Sequence, residues 1–536
     1  MPRQGAGMAA WPSWLVGGAV AILLAIVLAG HAVTQYIDQD EEQYVAAAYI
    51  AQEAVLYRDF LYLQPPVYPL VLSELFALSA GTSRFLVARL LSAGLAIGAV
   101  GAFFLIARSV SGRIAAAAIC TALFASSPVM LRAFGSTRND VMPVFFGLCG
   151  TALLLAGQRR DRARRWVALL ASGICLALAV ATKLSAAFLI PAALLYLALR
   201  ERRSHPLRSL VPVAIGMAIG GLPILAYAAR DWERFRYSIL TFHVTAPAQY
   251  YSGAEEAEYF TLRTAVWEMA DAVLHQPALI GGFLFLLLVL ALAPYPGGYG
   301  SVAAELRARD GLLALVLAAM AIPFVVMPRP FGLPYAVPLV PYLLLSCAAA
   351  YPVASQFLSR NQLGLVAVAA GAIVAIEVGR LATEVPRALD PARWTVTQVN
   401  EVATLVTDAV AQRGGGPVAT LYPLLVLDAG GTIYRQFATG IYFFRSSARM
   451  ADERVLQLHG ASPGTLATIF ASVPPAAILV GDTAVEKPLQ DWAVRNCYTE
   501  AADALSSWRG GPYNIRAEDT WRPRLLLRPS RQACDG

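Results

Sequence analysis

A short acidic cluster directly follows the first apolar stretch of the chain. It consists of four carboxylic acids within five residues, Asp38, Asp40, Glu41 and Glu42. One interpretation is a helix start, in which Asp40 is the N-cap and Gln43 completes a capping box. The neighbouring acids would then be stabilised by the positive end of the helix dipole. The other is catalytic, because a carboxylate held at a helix end is suited to act as a general base. The two interpretations are compatible, and the spacing leaves open which acid is the base.

A second acidic position and three basic residues could take part in the same chemistry. Asp140 ends the turn Ser136-Thr-Arg-Asn-Asp140, where an aspartate is ordinary. Lys183 stands out because the chain has 40 arginines and two lysines; a compact ammonium suits a phosphate, although a snorkelling interfacial lysine has the same position. Arg329, between two prolines, is either a second phosphate ligand or a loop anchor. A lone histidine such as His243 is more often structural than catalytic.

The composition predicts that these residues are positioned by membrane-embedded elements. Of 536 residues, 57% are apolar and 14% are charged, and the mean hydropathy is +0.56; roughly a quarter of the residues in a soluble domain are charged. This balance excludes a soluble single-core enzyme, a disordered chain and a disulfide framework. The net charge of +7 does not predict nucleic-acid binding, since the arginines concentrate in short loops between apolar stretches.

Eleven apolar stretches of near-bilayer length predict a polytopic α-helical membrane protein of about eleven transmembrane helices. They are Trp14–Ala32, Arg84–Ala107, Ile114–Met130, Val141–Gly157, Trp166–Thr182, Leu184–Leu199, Leu210–Ala229, Pro277–Pro294, Gly311–Met327, Pro334–Pro352 and Leu363–Leu381. Four arginine-rich loops fall on one side if every stretch crosses, and the positive-inside bias makes that side cytoplasmic. These are the loops around Arg108 and Arg113, 158–165, 200–208 and 307–309.

The remaining loops are therefore predicted to be external. The first of them, Val33–Ser83, contains the apolar segment Pro66–Ala80, which is too short and too proline-flanked for a span and is predicted to be an interfacial or re-entrant helix. Asp40, Asp140 and Lys183 all fall on this external side, although the arginine count used none of them.

The composition changes near residue 382. Apolar residues at helical spacing over Trp394–Gln412 end at a run of three glycines, and short apolar runs such as Ala476–Val480 are typical of strands. We predict a transmembrane domain over residues 1–382, followed by an extracytoplasmic α/β domain over residues 383–536.

The ordered set of motifs resembles the type C (GT-C fold), polyprenyl-phosphate-sugar-dependent membrane glycosyltransferases, in the branch of lipid A aminoarabinose transferase and the protein O-mannosyltransferases. Each motif is short, and their order and common side make the resemblance specific over the chain to about residue 350. The motifs are Asp40-Glu-x-x-Tyr44, Tyr57-Arg-Asp-Phe60, Gln64-Pro-Pro-Val-Tyr68, Arg138-Asn-Asp140, Thr182-Lys183, Phe242-His243, and Arg329 with Tyr335, Pro338 and Pro341.

The resemblance implies roles for these residues. Asp40, with Glu41 beside it, matches the family's catalytic acidic position, and Asp140 matches a second acidic position used for acceptor or metal contacts. The residues implied to bind the lipid phosphate are Lys183, Arg329 and Arg138. The residues implied to bind the substrate are Tyr44, His243 and Tyr335. No cofactor is firmly implied; a divalent cation on Asp40 and Asp140 is the candidate. The lysine-glycine pair usual after the fifth span is Lys183-Leu here.

The predicted function is transfer of a sugar from a polyprenyl-phosphate donor to a cell-envelope acceptor, by inverting displacement at the external face of a bacterial plasma (inner) membrane. The acceptor is a lipopolysaccharide, another glycolipid or a polysaccharide, and less readily a protein. A secondary transporter or lipid-linked sugar flippase is the alternative, since it also needs many apolar spans; its ionisable groups would lie near the bilayer midplane. A non-catalytic partner subunit is a third possibility.

Overall fold

The structure is a computed structural model in which helices dominate. It describes residues 13–159, 161–200, 207–250, 261–292, 306, 310–328, 332–501, 505, 514–515, 519–520 and 523–529. Within these residues, four helices are each long and apolar enough to cross a membrane, and four bent helix pairs would raise that number to eight. Shorter apolar helices of 10–17 residues accompany them.

Within the described residues, each of the eleven apolar stretches is mainly helical, because an apolar run can satisfy its backbone hydrogen bonds within the segment. These helices are α1 Ser13–Thr34, α4 Arg84–Ser111, α5 Ile114–Ser126, α7 Val141–Gly157, α8 Arg162–Thr182, α9 Leu189–Arg200, α10 Leu207–Gly220, α15 Pro277–Leu292, α16 Gly311–Val326, α17 Leu339–Phe357 and α18 Arg360–Ala382. Ile114–Met130 and Leu210–Ala229 are each divided between two helices. The number of helices that cross the bilayer stays a prediction.

Shorter helices connect them. They are α2 Gln39–Ile50, α3 Val67–Leu78, α6 Pro128–Gly135, α11 Leu222–Arg230, α12 Trp232–Arg236, α13 Phe242–Tyr250 and α14 Leu262–Leu274. Helices α2 and α3 lie in the loop predicted to hold interfacial segments, and α2 turns away from α1 by 95°. The α5–α6 bend of 62° coincides with Pro128, which has no N–H to continue the ladder of α5.

Small residues let neighbouring helices approach closely. Gly173 of α8 faces α10, and a Cβ built there would lie 2.1 Å from the carbonyl oxygen of Val213. Gly216 of α10 faces α8 in the same way, 2.1 Å from the carbonyl oxygen of Leu170. Without a hydrophobic driving force between helices in lipid, such close backbone packing supplies much of the association energy.

Two loops predicted to share one side meet at a single buried acid. Asp310 is 2% exposed and contacts the guanidinium groups of Arg159, at 3.2 Å, and Arg200. The hydroxyl of Tyr196 donates to the same carboxylate at 2.8 Å. The loops that follow α7 and α9 are therefore at the same end of the helix bundle as the start of α16.

The carboxyl-terminal part contains a small mixed sheet among helices. Its strands are β1 Val418–Thr420, β2 Ala477–Val480, β3 Thr499–Glu500 and β6 Arg524–Leu527, in the order β1-β2-β6-β3; β4 Asn514–Ile515 and β5 Asp519–Thr520 form a separate pair. β1 and β2 are parallel, while β6 is antiparallel to both β2 and β3. The helices are α19 Val385–Ala388, α20 Thr395–Ala411, α21 Leu424–Leu427, α22 Ile441–Ser446, α23 Asp452–Gln457, α24 Leu466–Ser472 and α25 Lys487–Arg495.

One hydrophobic core joins this part to the first loop. Val45 of α2 and Tyr68 of α3 belong to the same buried cluster as Val399 of α20, Leu425 of α21 and Ile478 of β2. The contact fixes the position of α2, and therefore of the acidic cluster at its start. The proposed division at residue 382 stays a prediction.

Candidate active site

Helix α2 begins two residues earlier than the sequence indicated. Asp38, not Asp40, is the N-cap: its carboxylate accepts from the backbone N–H of Asp40 at 3.1 Å, and Glu41, not Gln43, returns to the backbone N–H of Asp38 at 2.8 Å. The expected capping box therefore exists in a different register. Asp38 has extended backbone angles, φ −94° and ψ 138°, as an N-cap requires, whereas Asp40 is already inside the first turn.

The four acids of the cluster have different surroundings. Glu41 is fully buried and pairs with Arg89 at 2.7 Å, and it accepts from both the backbone N–H and the hydroxyl of Thr137. Glu42 is also buried and accepts from the backbone N–H of Leu424 at 2.7 Å. Asp38 and Asp40 instead face a cavity. The geometry thus separates two structural acids, one of them the predicted catalytic Glu41, from two that solvent or a substrate can reach.

Arg138 links three carboxylates. Its Nε donates to Asp140 at 2.8 Å, one Nη lies 2.8 Å from Asp38, and the other contacts Asp40. The second oxygen of Asp140 contacts the Nζ of Lys183. Residues from α2, the turn before α7 and the end of α8 thereby form one ionic network, so the structure brings the predicted acids and Lys183 together.

The network borders a cavity of about 980 Å³. Among the predicted site residues, Asp40, Arg138, His243 and Tyr335 line this cavity. Asp140, 3% exposed, lies behind Arg138 instead, where both of its oxygens are taken by cations.

Two further predicted residues lie outside the lining of this cavity. Lys183 keeps 12% of its side chain exposed. Tyr44 is buried beneath the site, and its hydroxyl donates to the Oδ1 of Asn139 at 2.9 Å. This makes Tyr44 a support for the Arg138–Asp140 turn, and the structure does not bring it to the cavity. Arg329 lies outside the described residues.

The basic residues of the network lower the pKa values of two of its acids. Burial raises the pKa of Asp38, but Arg138 and Arg132 outweigh that effect and hold the pKa below its usual range. Burial likewise raises the pKa of Asp140, while Lys183 and Arg138 lower it by more, so this pKa is also lowered. Both acids are therefore ionised at neutral pH, which keeps the basic groups oriented.

His243 lines the cavity, and its side chain is exposed there. Desolvation lowers the pKa of its imidazole. Nε2 donates to the carbonyl oxygen of Leu63 at 2.6 Å, which fixes the ring and leaves Nδ1 for another contact. The neutral ring can therefore act as an oriented polar group.

Residues far along the chain complete the cavity wall, and no local sequence pattern indicates them. Tyr442, Arg445 and Ser446 of α22 line the cavity, and the guanidinium of Arg445 lies 5.0 Å from the ring centre of Tyr442. Arg132 of α6 pairs with Asp38 at 2.6 Å. The basic type of the two arginines was visible in the sequence, but not their distance from the acids.

The carboxylates do not fit a metal site of the usual kind. A divalent ion such as Mg²⁺ or Ca²⁺ takes several oxygen ligands, yet Asp40 and Asp140, the predicted ligands, both contact the guanidinium of Arg138. Within the described part of the chain, no group of three His, Cys, Asp or Glu side chains is arranged to hold a metal ion. No step is therefore assigned to a metal.

Comparisons with known proteins give one family match and several structural matches. Residues 14–204 match the dolichyl-phosphate-mannose-protein mannosyltransferase family, and no curated protein matches the chain. The ArnT structure from Cupriavidus metallidurans bound to undecaprenyl phosphate is 15% identical, with a TM-score of 0.60 over 96% of this chain and 98% of that one. The oligosaccharyltransferase AglB from Archaeoglobus fulgidus, in complex with an inhibitory peptide and a dolichol-phosphate, is 12% identical, with a TM-score of 0.50 over 93% and 72%.

At these identities the structural likeness shows the fold alone, over 96% of this chain for ArnT and 93% for AglB. The family match covers the segment that carries Asp40, Arg138, Asp140 and Lys183. The resemblance seen in the sequence motifs is confirmed: residues 14–204 match a family of glycosyltransferases, and the chain has the type C fold of ArnT and AglB.

Proposed function

We propose that this glycosyltransferase moves a sugar from a polyprenyl-phosphate-linked donor to a cell-envelope acceptor. The ArnT structure holds undecaprenyl phosphate and the AglB structure holds a dolichol-phosphate, both of which are polyprenyl phosphates, and this supports the donor class. The reaction takes place at the external face of a bacterial plasma membrane. The acceptor is a lipopolysaccharide, another glycolipid or a polysaccharide, with a protein as a less favoured choice.

One observation carries the proposal. Asp40 opens to a cavity of about 980 Å³ and is joined through Arg138 to Asp140, which contacts Lys183. A reachable carboxylate and two cations thus lie at one end of the bundle, in the arrangement that sugar transfer from a lipid phosphate requires.

The chemistry is a direct displacement with inversion. The acceptor hydroxyl oxygen forms a bond to the anomeric carbon while the bond from that carbon to the phosphate oxygen breaks. The hydroxyl proton passes to Asp40, and the bonding electron pair leaves with the polyprenyl phosphate. Positive charge stabilises this leaving group and positioning supplies the rest, so a separate proton donor is unnecessary.

The described residues divide these tasks among them. Asp40 is the base, since Glu41 and Glu42 are buried and Asp38 caps α2. Lys183 and Arg138 meet the departing phosphate, with Arg329 as a further candidate.

Other residues keep these groups in place or contact the substrate. Asp140 orients the two cations, because both of its oxygens are occupied by them. His243 and Tyr335, which also line the cavity, contact the sugar or the acceptor.

A transfer assay tests this proposal. The purified protein, in lipid vesicles, receives a labelled polyprenyl-phosphate sugar and an envelope glycolipid extract, and released polyprenyl phosphate is measured together with labelled product. Asp40→Asn should lower the rate about 10²- to 10⁴-fold, the usual contribution of a general base. Asp59→Asn is the matched control: Asp59 lies in the same loop, pairs with Arg58 at 2.8 Å and does not line the cavity.

The outcomes separate the alternatives. Label that accumulates inside sealed vesicles without release of polyprenyl phosphate would favour a transporter or flippase. Undiminished transfer by Asp40→Asn would remove Asp40 from the role of base. Mass spectrometry of envelope glycans from a deletion strain and its parent then identifies the sugar and the acceptor, because the missing product defines both.

A further inference from the structure

Glu42 is a buried acid that the proposed reaction does not use. It is 2% exposed, and its Oε2 accepts from the backbone N–H of Leu424 at 2.7 Å. Its Oε1 is buried and, among the described residues, has no hydrogen-bond partner. Leu424 begins helix α21 in the carboxyl-terminal part, 382 residues further along the chain, so this contact joins the helix that carries Asp40 to a distant segment.

The surroundings of Glu42 favour the neutral acid. Burial raises the pKa of this carboxyl well above its usual range, and the charge of Glu41 adds to the effect. An ionised carboxylate with a single hydrogen bond would be very costly in such a site, whereas a neutral carboxyl is tolerated.

The carboxyl-terminal side of the Glu42 contact is closely packed around Gly440. Gly440, at the start of α22, has φ +55°, and a Cβ built on it would lie 2.9 Å from the carbonyl oxygen of Leu421 and 3.7 Å from the Cβ of Glu42. Helix α22 also carries Tyr442, which lines the cavity together with Asp40. Helix α22 therefore links the packing around Glu42 to the wall of the cavity.

We infer that Glu42 is a positioning residue that locks helix α2 to the carboxyl-terminal segment and so holds Asp40 against the cavity. This inference rests on the proposed function, and it gives the carboxyl-terminal segment a role in the geometry of the active site. Small displacements of a catalytic group are sufficient to lower a rate by up to about a hundredfold.

Three substitutions on α2 test the assignment in the transfer assay. Glu42→Gln keeps the shape, the neutral charge and the acceptor oxygen, and should retain most of the wild-type kcat. Glu42→Ala removes the contact and should lower kcat by about ten- to a hundredfold, with a smaller change in KM for the donor. Asp40→Asn provides the inactive reference.

A second pair of variants perturbs the contact from its other side. Gly440→Ala should resemble Glu42→Ala, because the new methyl group collides with the Leu421 carbonyl. Gly430→Ala is the control for a positive φ alone: Gly430 has φ +80°, but a Cβ there meets nothing within 4 Å. Gly440 also has ψ −136°, so Gly440→Ala carries backbone strain of its own, and loss of the lock is identified by faster exchange over residues 39–50 in both Gly440→Ala and Glu42→Ala.

Hydrogen exchange over residues 39–50 gives a readout that does not depend on activity. Glu42→Ala and Gly440→Ala should exchange faster there than the wild type, and Glu42→Gln and Gly430→Ala should not. Unchanged exchange in the first two variants would overturn the inference, as would a Glu42→Gln protein as inactive as Asp40→Asn, which would make Glu42 a base. A wild-type protein without transfer activity but with this exchange pattern would refute the proposed function and leave the lock supported.

Discussion

Replacement of Arg89 by methionine should strongly destabilise the protein without touching the cavity. Arg89 and Glu41 are both 0% exposed and lie 2.7 Å apart. The same guanidinium donates to the carbonyl oxygen of Ala32 at 2.7 Å and to that of Gly135. The side chain therefore ties α4 to the ends of α1 and α6 as well as to α2. Methionine has a similar length but neither the charge nor the donors.

The expected loss of stability follows from these contacts. Removal of one partner of a buried ion pair costs about 3–5 kcal/mol, because the remaining charge is left without compensation. Two main-chain carbonyls lose a donor as well, which adds to the destabilisation. A loss of at least about 3 kcal/mol lowers the ratio of folded to unfolded protein roughly a hundredfold or more. The double variant Arg89→Met with Glu41→Gln should recover part of this loss, since no unpaired charge remains.

Thermal unfolding of the detergent-solubilised protein, followed by intrinsic fluorescence, measures the effect. Arg58→Met is the control, because Arg58 is exposed and pairs with Asp59 at the surface, where an ion pair contributes little. A midpoint for Arg89→Met equal to that of the wild type would contradict the reasoning. A double variant no more stable than Arg89→Met alone would show that the stranded Glu41 charge is not the cause.

Three other results are expected. Lys183→Gln should raise KM for the polyprenyl-phosphate donor more than it lowers kcat, and Lys183→Arg should recover part of that loss; equal donor KM values for wild type and Lys183→Gln in steady-state kinetics would remove Lys183 from phosphate binding. Tyr44→Phe should lower stability by about 1 kcal/mol through loss of the Asn139 hydrogen bond and leave kcat nearly unchanged; a large fall in kcat would instead support substrate contact. Asp140 has a lowered pKa in the folded state, so the ionised carboxylate stabilises the folded protein above its unfolded pKa of about 4, and this stabilisation is lost as the pH falls toward the folded value. Between pH 6 and pH 3, the unfolding midpoint of Asp140→Asn should therefore fall less steeply than that of the wild type.

The sequence predicted those features that depend on local composition. Helix α7 has the bounds expected from its apolar run, Val141–Gly157, and α4 begins at Arg84 as expected. The arginine-rich loops placed Asp40, Asp140 and Lys183 at one end of the bundle, where the structure joins them through Arg138. Hydropathy along a segment decides whether it forms an apolar helix, so a single chain is sufficient for this inference.

The register of the acidic cluster was wrong in the sequence interpretation. Whether Asp38 or Asp40 caps α2 depends on where the chain leaves α1, and both types of residue are equally good caps. Glu41 was assigned to catalysis because of its neighbour, whereas its partner is Arg89, 48 positions away. Adjacent acids on one helix point in different directions, and only their neighbours in space decide which of them reaches the cavity.

The amino-acid sequence by itself determined a membrane-embedded helical chain with acidic and basic groups at one face, because apolar runs and arginine-rich loops act locally. Tertiary structure alone decided that Arg138 lies between three carboxylates, that Glu41 and Glu42 are buried, and that Tyr442 reaches the same cavity. These contacts join residues up to several hundred positions apart, and their energies depend on packing that no local pattern of residues encodes.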